Sequence, residues 1–113
     1  MTWKIDKCFM TGCDSKTEWL LEWFIDNYLK YNDIPMIFAN FGVSDEMLEF
    51  VKNSGKFNGI MDVSKKSEKG WFLKPYSMLN TPARETYWID TDCEVLGDIS
   101  PLFKMLETEK LSM

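Results

Sequence analysis

Two aspartates two residues apart, Asp90 and Asp92, close the apolar run Tyr87-Trp88-Ile89. Where the backbone stays extended, side chains at i and i+2 point the same way. Two carboxylates held that close repel each other unless a cation sits between them. Hard oxygen ligands suit Mg²⁺ or Mn²⁺, which keep coordination positions open for phosphate oxygens. An Asp-x-Asp is also a common turn, so its surroundings decide what it means. Other chemistries find less support. Ser15-Lys16-Thr17 follows Gly12, but a phosphate-cradling loop needs glycine at positions 10 and 15, where this chain has Met10 and Ser15. The chain contains no histidine, which removes an imidazole base, and its three cysteines, Cys8, Cys13 and Cys93, stand at no metal-ligand spacing. Their expected role is that of buried small hydrophobes in a reducing cytoplasm.

The elements that must carry these residues read as alternating strands and helices. Cys8 to Gly12 is a buried strand. Ser15-x-x-Glu18 has the form of a capping box, opening a helix to about Tyr31 with Trp19, Leu20, Trp23, Phe24, Asn27 and Tyr28 at helical spacing. Glu18, Glu22 and Asp26 would then face water. Pro35 to Phe41 is a second strand, and Ser44 caps a helix that turns Met47, Leu48 and Val51 inward and ends near Gly55. Phe57 to Val63 is a weaker strand broken by Gly59, and residues 64–70 form a polar, mostly basic loop. A helix is predicted over Trp71 to Asn80, a fourth strand over Thr86 to Ile89, and a last helix after Ser100-Pro101, with Leu102, Phe103 and Leu106 inward.

This alternation predicts an α/β fold: a Rossmann-like three-layer α/β/α unit with a mostly parallel sheet of about four strands. No linker or repeat divides it, so residues 1–113 are expected to form one domain. Ligands of such sheets bind at the carboxyl ends of the strands, where the strand order reverses. Three of the four predicted ends carry aspartate: Asp14, Asp62, and the pair Asp90 and Asp92. Eighteen acidic against thirteen basic residues give a net charge of −5, which argues against nucleic acid as a partner. No apolar run is long enough for a membrane span, and no signal peptide is visible.

Residues 87–103, Tyr-Trp-Ile-Asp-Thr-Asp-Cys-Glu-Val-Leu-Gly-Asp-Ile-Ser-Pro-Leu-Phe, resemble the Asp-x-Asp region of GT-A-fold glycosyltransferases. The closest likeness is to the glycogenin and galactosyltransferase-like group, glycosyltransferase family 8. Gly70-Trp71-Phe72-Leu73-Lys74-Pro75-Tyr76 is similar to the helix entering that region, and Phe9 to Asp14 to the first strand. The resemblance implies transfer of a sugar from a nucleotide-sugar, usually a UDP-sugar, with Mn²⁺ or Mg²⁺ as cofactor. Asp92 matches the direct metal ligand, Asp90 the ribose- or metal-water-contacting position, and Asp14 the base- and ribose-contacting position. Lys74 could face the diphosphate or make a surface salt bridge. Asp62 could line the nucleotide pocket or cap the loop at Ser64, and Asp98 orders the turn before Ser100. Family members are longer, and their second half brings the acceptor site and a further metal ligand, often histidine. The resemblance therefore covers the donor-binding half, expected to lack turnover alone.

Two other functions fit parts of the pattern. Asp-x-Asp after a strand also resembles the haloacid-dehalogenase phosphatases, though these place the motif on the first strand rather than the fourth. A non-catalytic interaction module would keep the half-fold without its chemistry. Its exposed sheet edge offers a route to a homo-oligomer.

Overall fold

In a computed structural model of the chain, residues 5–64 and 77–103 are described. The first apolar segment forms strand β1, Ile5–Cys13, longer at its start than the apolar residues alone predict. A 3₁₀ turn at Glu18–Leu20 leads into helix α1, Leu21–Leu29. Strand β2 is Met36–Asn40, helix α2 is Asp45–Asn53, strand β3 is Gly59–Asp62 and strand β4 is Ala83–Trp88. All pairings are parallel and the order across the sheet is β3-β2-β1-β4. This is a small α/β, Rossmann-like fold, as the alternation of elements predicts.

Period-two alternation sorts the strands onto two faces. Phe9 and Met36 pack with Phe24, Ile25 and Tyr28 of α1, and with Ile89, Val95 and Phe103 beyond β4. Cys13 and Phe38 pack with Leu21 and with Val51 of α2. Both α1 and α2 therefore cover the same face. The opposite face carries Cys8, Met10, Ile37 and Ala39, all buried, with Phe41, Met61 and Trp88 partly so, and Ala83 at the start of β4 packs into that cluster. The helix predicted over Trp71 to Asn80 lies largely outside the described residues; 77–79 form a helical turn. Of the helix predicted after Pro101, only 102–103 are described.

The inward stripe of α1 differs from the predicted one. Leu21, Phe24, Ile25 and Tyr28 are buried, whereas Trp19 and Trp23 are exposed. The cause is the 3₁₀ turn, which advances three residues per turn rather than 3.6 and so shifts the phase counted from Ser15. The capping box does not form. The turn begins at Thr17 with no side-chain cap, and Glu18 instead accepts from Ser44 N at 2.8 Å and Ser44 Oγ at 2.6 Å. Asp26 pairs with Lys56 at 2.5 Å rather than facing water alone. Ser44 caps α2 as predicted, its Oγ accepting from Met47 N. On α2 only Val51 is fully buried, with Met47 and Leu48 half-buried. Gly59 begins β3 instead of interrupting it, and β4 starts three residues earlier than predicted.

Candidate functional site

From β1 the chain crosses to β2 and then to β3, and afterwards returns past β1 to β4. The order thus reverses between β1 and β4, and their carboxyl ends flank the crevice where parallel sheets of this kind bind ligands. One side of it is Cys13-Asp14 and the other is Ile89-Asp90-Thr91-Asp92. Ile89 N still donates to Met10 O at 2.9 Å, so the ladder runs one residue beyond β4.

After Ile89 the backbone turns instead of remaining extended, with Cys93 N donating to Asp90 O at 3.1 Å. This corrects the alignment that an extended Asp-x-Asp implies. Asp90 Oδ1 accepts from Trp88 Nε1 at 2.7 Å, and Asp90 borders a hollow along the outer edge of β4 with Tyr87, Val95 and Leu102. Asp92 borders a separate hollow with Trp19, Leu20 and Trp23. Both aspartates are exposed. Asp14 is half-buried and accepts from Lys16 N at 2.9 Å. Asp62 ends β3, on the far side of the sheet from β4, and accepts from Ser64 N at 3.0 Å and Ser64 Oγ at 2.6 Å. The fold thus gathers Asp14, Asp90 and Asp92 at neighbouring strand ends and leaves Asp62 apart. Lys74 lies outside the described residues.

Among the described residues no group of three or more acidic or cysteine side chains is arranged to hold a metal ion. Mg²⁺ does not need such a cage, because it is commonly held by one or two carboxylates with water and substrate phosphates completing the shell. Asp92, exposed on the turn, could offer one carboxylate of that kind, whereas Asp90 borders a different hollow.

The loops around the crevice are tied together by Asn40 and Asn32, and by Glu18 and Asn27 in roles other than the cap and the inward stripe predicted for them. Asn40, buried at the end of β2, accepts from Gly42 N at 2.8 Å and Val43 N at 3.0 Å. Gly42 takes a φ of +122°, a conformation that favours glycine. Glu18 fastens the β1–α1 connection to the start of α2 through Ser44. Asn27 of α1 accepts from Val95 N. Asn32, just past α1, donates to Gly97 O at 3.0 Å and accepts from Ile99 N at 2.8 Å, so α1 and the turn after it hold the chain that follows Asp92. Polar residues beside the apolar stripe of α1 were the available signal for these contacts. Asp98 orders the next turn by accepting from Ser100 N at 2.9 Å. That bond, with help from the Ser100 side chain, holds its carboxyl below the ordinary carboxylate range.

Phe41 and Trp88 stack at 5.8 Å with their planes 7° apart. Gly12 lies against both rings, and a Cβ there would sit 3.0 Å from each and 2.7 Å from Ala39 O. Cys8 and Cys13 are buried as expected, but Cys93 is exposed, because the turn at Asp90 carries it out of the core.

No protein-family model and no curated protein sequence matches the chain. Among the described residues, no helix is long and apolar enough to cross a membrane.

Proposed function

We propose that this chain is the donor-binding half of a metal-dependent glycosyltransferase, taking a nucleotide-sugar, a UDP-sugar above all, in a reducing cytoplasm. One observation carries this reading: the strand order sets the ends of β1 and β4, bearing Asp14 and Asp90-Thr91-Asp92, on the two sides of the switch point. In this reading Asp92 holds Mn²⁺ or Mg²⁺ and Asp90 contacts the ribose or a metal-bound water. Asp14 accepts from ribose hydroxyls. Lys74 is assigned to the diphosphate by the resemblance, and Asp62, which caps the loop at Ser64 on the far side of the sheet, takes no part. The bound cation would offset the charge that builds on the leaving diphosphate as the glycosidic bond breaks. The chain's own contribution is a crevice whose walls are fixed by Glu18–Ser44 and by Asn27 and Asn32. Acceptor chemistry would come from outside these residues.

Calorimetric titration of UDP in the presence of Mn²⁺ tests this. Binding that disappears with EDTA and in Asp92→Ala is the expected result. No heat with the unaltered chain, or equal heat in the variant, overturns the reading.

A second reading is favoured by the separation of the Asp90 and Asp92 carboxylates into different hollows. It is a non-catalytic module in which the half-fold serves recognition. UDP binding that ignores Mn²⁺, or no UDP binding at all, would support it.

A further inference from the structure

Trp19 and Trp23 face outward on the first turns around α1, 73% and 45% exposed. With Leu20 and Asp92 they line an open hollow of about 400 Å³, within the size range of small-molecule sites. Burying neither indole is costly for a protein that could have used polar residues there, since each ring offers a large apolar surface to water. The composition narrows what could cover it. A purely apolar protein face would strip water from the Asp92 carboxylate and give it no donor, an unfavourable exchange. A quaternary ammonium ion gains most where several ring faces enclose it, but Trp19 is an open shelf rather than the wall of a cage. A sugar ring meets both demands. Its C–H face lies flat on an aromatic ring, and its hydroxyls donate to a carboxylate that can only accept. Trp19 lies in the 3₁₀ turn and Trp23 in the first turn of α1, where the chain rises about 1.5–2 Å per residue, so the two indoles offer successive shelves along a chain of linked rings.

We propose that Trp19, Trp23 and Asp92 form a saccharide-binding platform that seats an oligosaccharide chain beside the Asp-x-Asp turn. Its use as an acceptor subsite rests on the donor-site reading above; the binding itself does not. Asp92 is common to both sites, and the Asp90–Cys93 turn that places it is held to α1 by Asn27 through Val95.

The test is NMR titration of the full chain, in EDTA and without nucleotide, with maltohexaose, cellohexaose and chitohexaose. At least one of the three is expected to move the indole N–H signals of Trp19 and Trp23 while leaving that of Trp88, which is stacked on Phe41, in place. Trp19→Ala and Trp23→Ala should each weaken that binding by about tenfold or more, and Trp19→Phe should restore much of it. Both positions are exposed, so each variant should keep the far-ultraviolet circular dichroism of the parent. No shift with any of the three sugars, shifts centred elsewhere, or a response to choline alone overturns the platform. Because EDTA and the absence of UDP remove the donor site from the measurement, failure of UDP binding and failure of saccharide binding are separate results.

Discussion

Trp88 Nε1 donates to Asp90 Oδ1 at 2.7 Å, which joins the last residue of β4 to the first acid of the motif. The same indole stacks on Phe41, just past the end of β2. One side chain thus spans two strand ends and orients a carboxylate at the switch point. The tryptophan within the apolar run is there for its nitrogen as well as for its bulk.

Trp88→Phe keeps a ring against Phe41 and removes the donor. The expected cost in urea unfolding is about 1 kcal/mol, the net worth of one hydrogen bond. In the donor-site reading, Mn²⁺-dependent UDP binding should weaken as well, because Asp90 loses an orienting partner. An unchanged midpoint together with unchanged UDP binding would show that the bond positions nothing.

Gly12→Ala brings a Cβ to 2.7 Å from Ala39 O, a backbone atom in a buried strand, and to 3.0 Å from both stacked rings. The rings can shift, but the carbonyl can move only with β2. Overpacking of this kind costs about 1–3 kcal/mol. Urea denaturation should show that loss, and near-ultraviolet circular dichroism should report a changed Phe41–Trp88 pair. Equal stability would mean that the sheet gives way at this point.

Asn32 is buried and bonds Tyr28 O, Gly97 O and Ile99 N. Tyr28 O keeps its backbone bonds from Tyr31 N and Asn32 N, so Asn32→Ala takes this partner from Gly97 O and Ile99 N, at about 1–3 kcal/mol for a buried unsatisfied group. Hydrogen exchange at Ile99 should accelerate more than exchange in β2. Uniform acceleration across the sheet would instead assign Asn32 a purely global role.

The cysteines should divide by burial. Burial, followed by the charges of Glu18 and Asp14, raises the Cys13 thiol from its ordinary 9.0 to about 12. Burial also raises Cys8, against hydrogen bonds from Thr86 and Thr81. At pH 8 iodoacetamide should label exposed Cys93 rapidly, and the other two only after unfolding. The folded Cys13 keeps its proton where the unfolded one has lost it. Its contribution to stability is therefore complete below about pH 9 and is lost progressively as pH rises from there toward 12. Cys13→Ala should flatten the alkaline fall in stability; an identical pH profile would contradict the assignment.

How much of this was legible depended on whether the signal was local. Ser44 before two acids specified the start of α2, and the apolar run Met36 to Ala39 specified β2, because both depend on neighbours in sequence. The strand-helix alternation gave the parallel sheet for the same reason. The register of α1 was not legible. Glu18 had two possible partners, the local backbone and Ser44, 26 residues away, and only the folded chain brings the second within reach. Losing the capping box moved the inward stripe and left Trp19 and Trp23 facing water. The Asp-x-Asp was visible as a pair of acids, but the turn that parts them is fixed by Cys93 N and by the Asn27 contact to Val95.

The central position of β1 also sets an order of assembly. Its pairing with β2 closes through the short α1 crossover, whereas its pairing with β4 joins Cys8 to Thr86, 78 residues apart. The entropy of closing the longer loop must be met before those contacts reward it. The β1–β2–β3 half should therefore form first, with the edge of β1 open until β4 arrives. Because the crevice has β4 as one wall, it is completed only at that last step of folding.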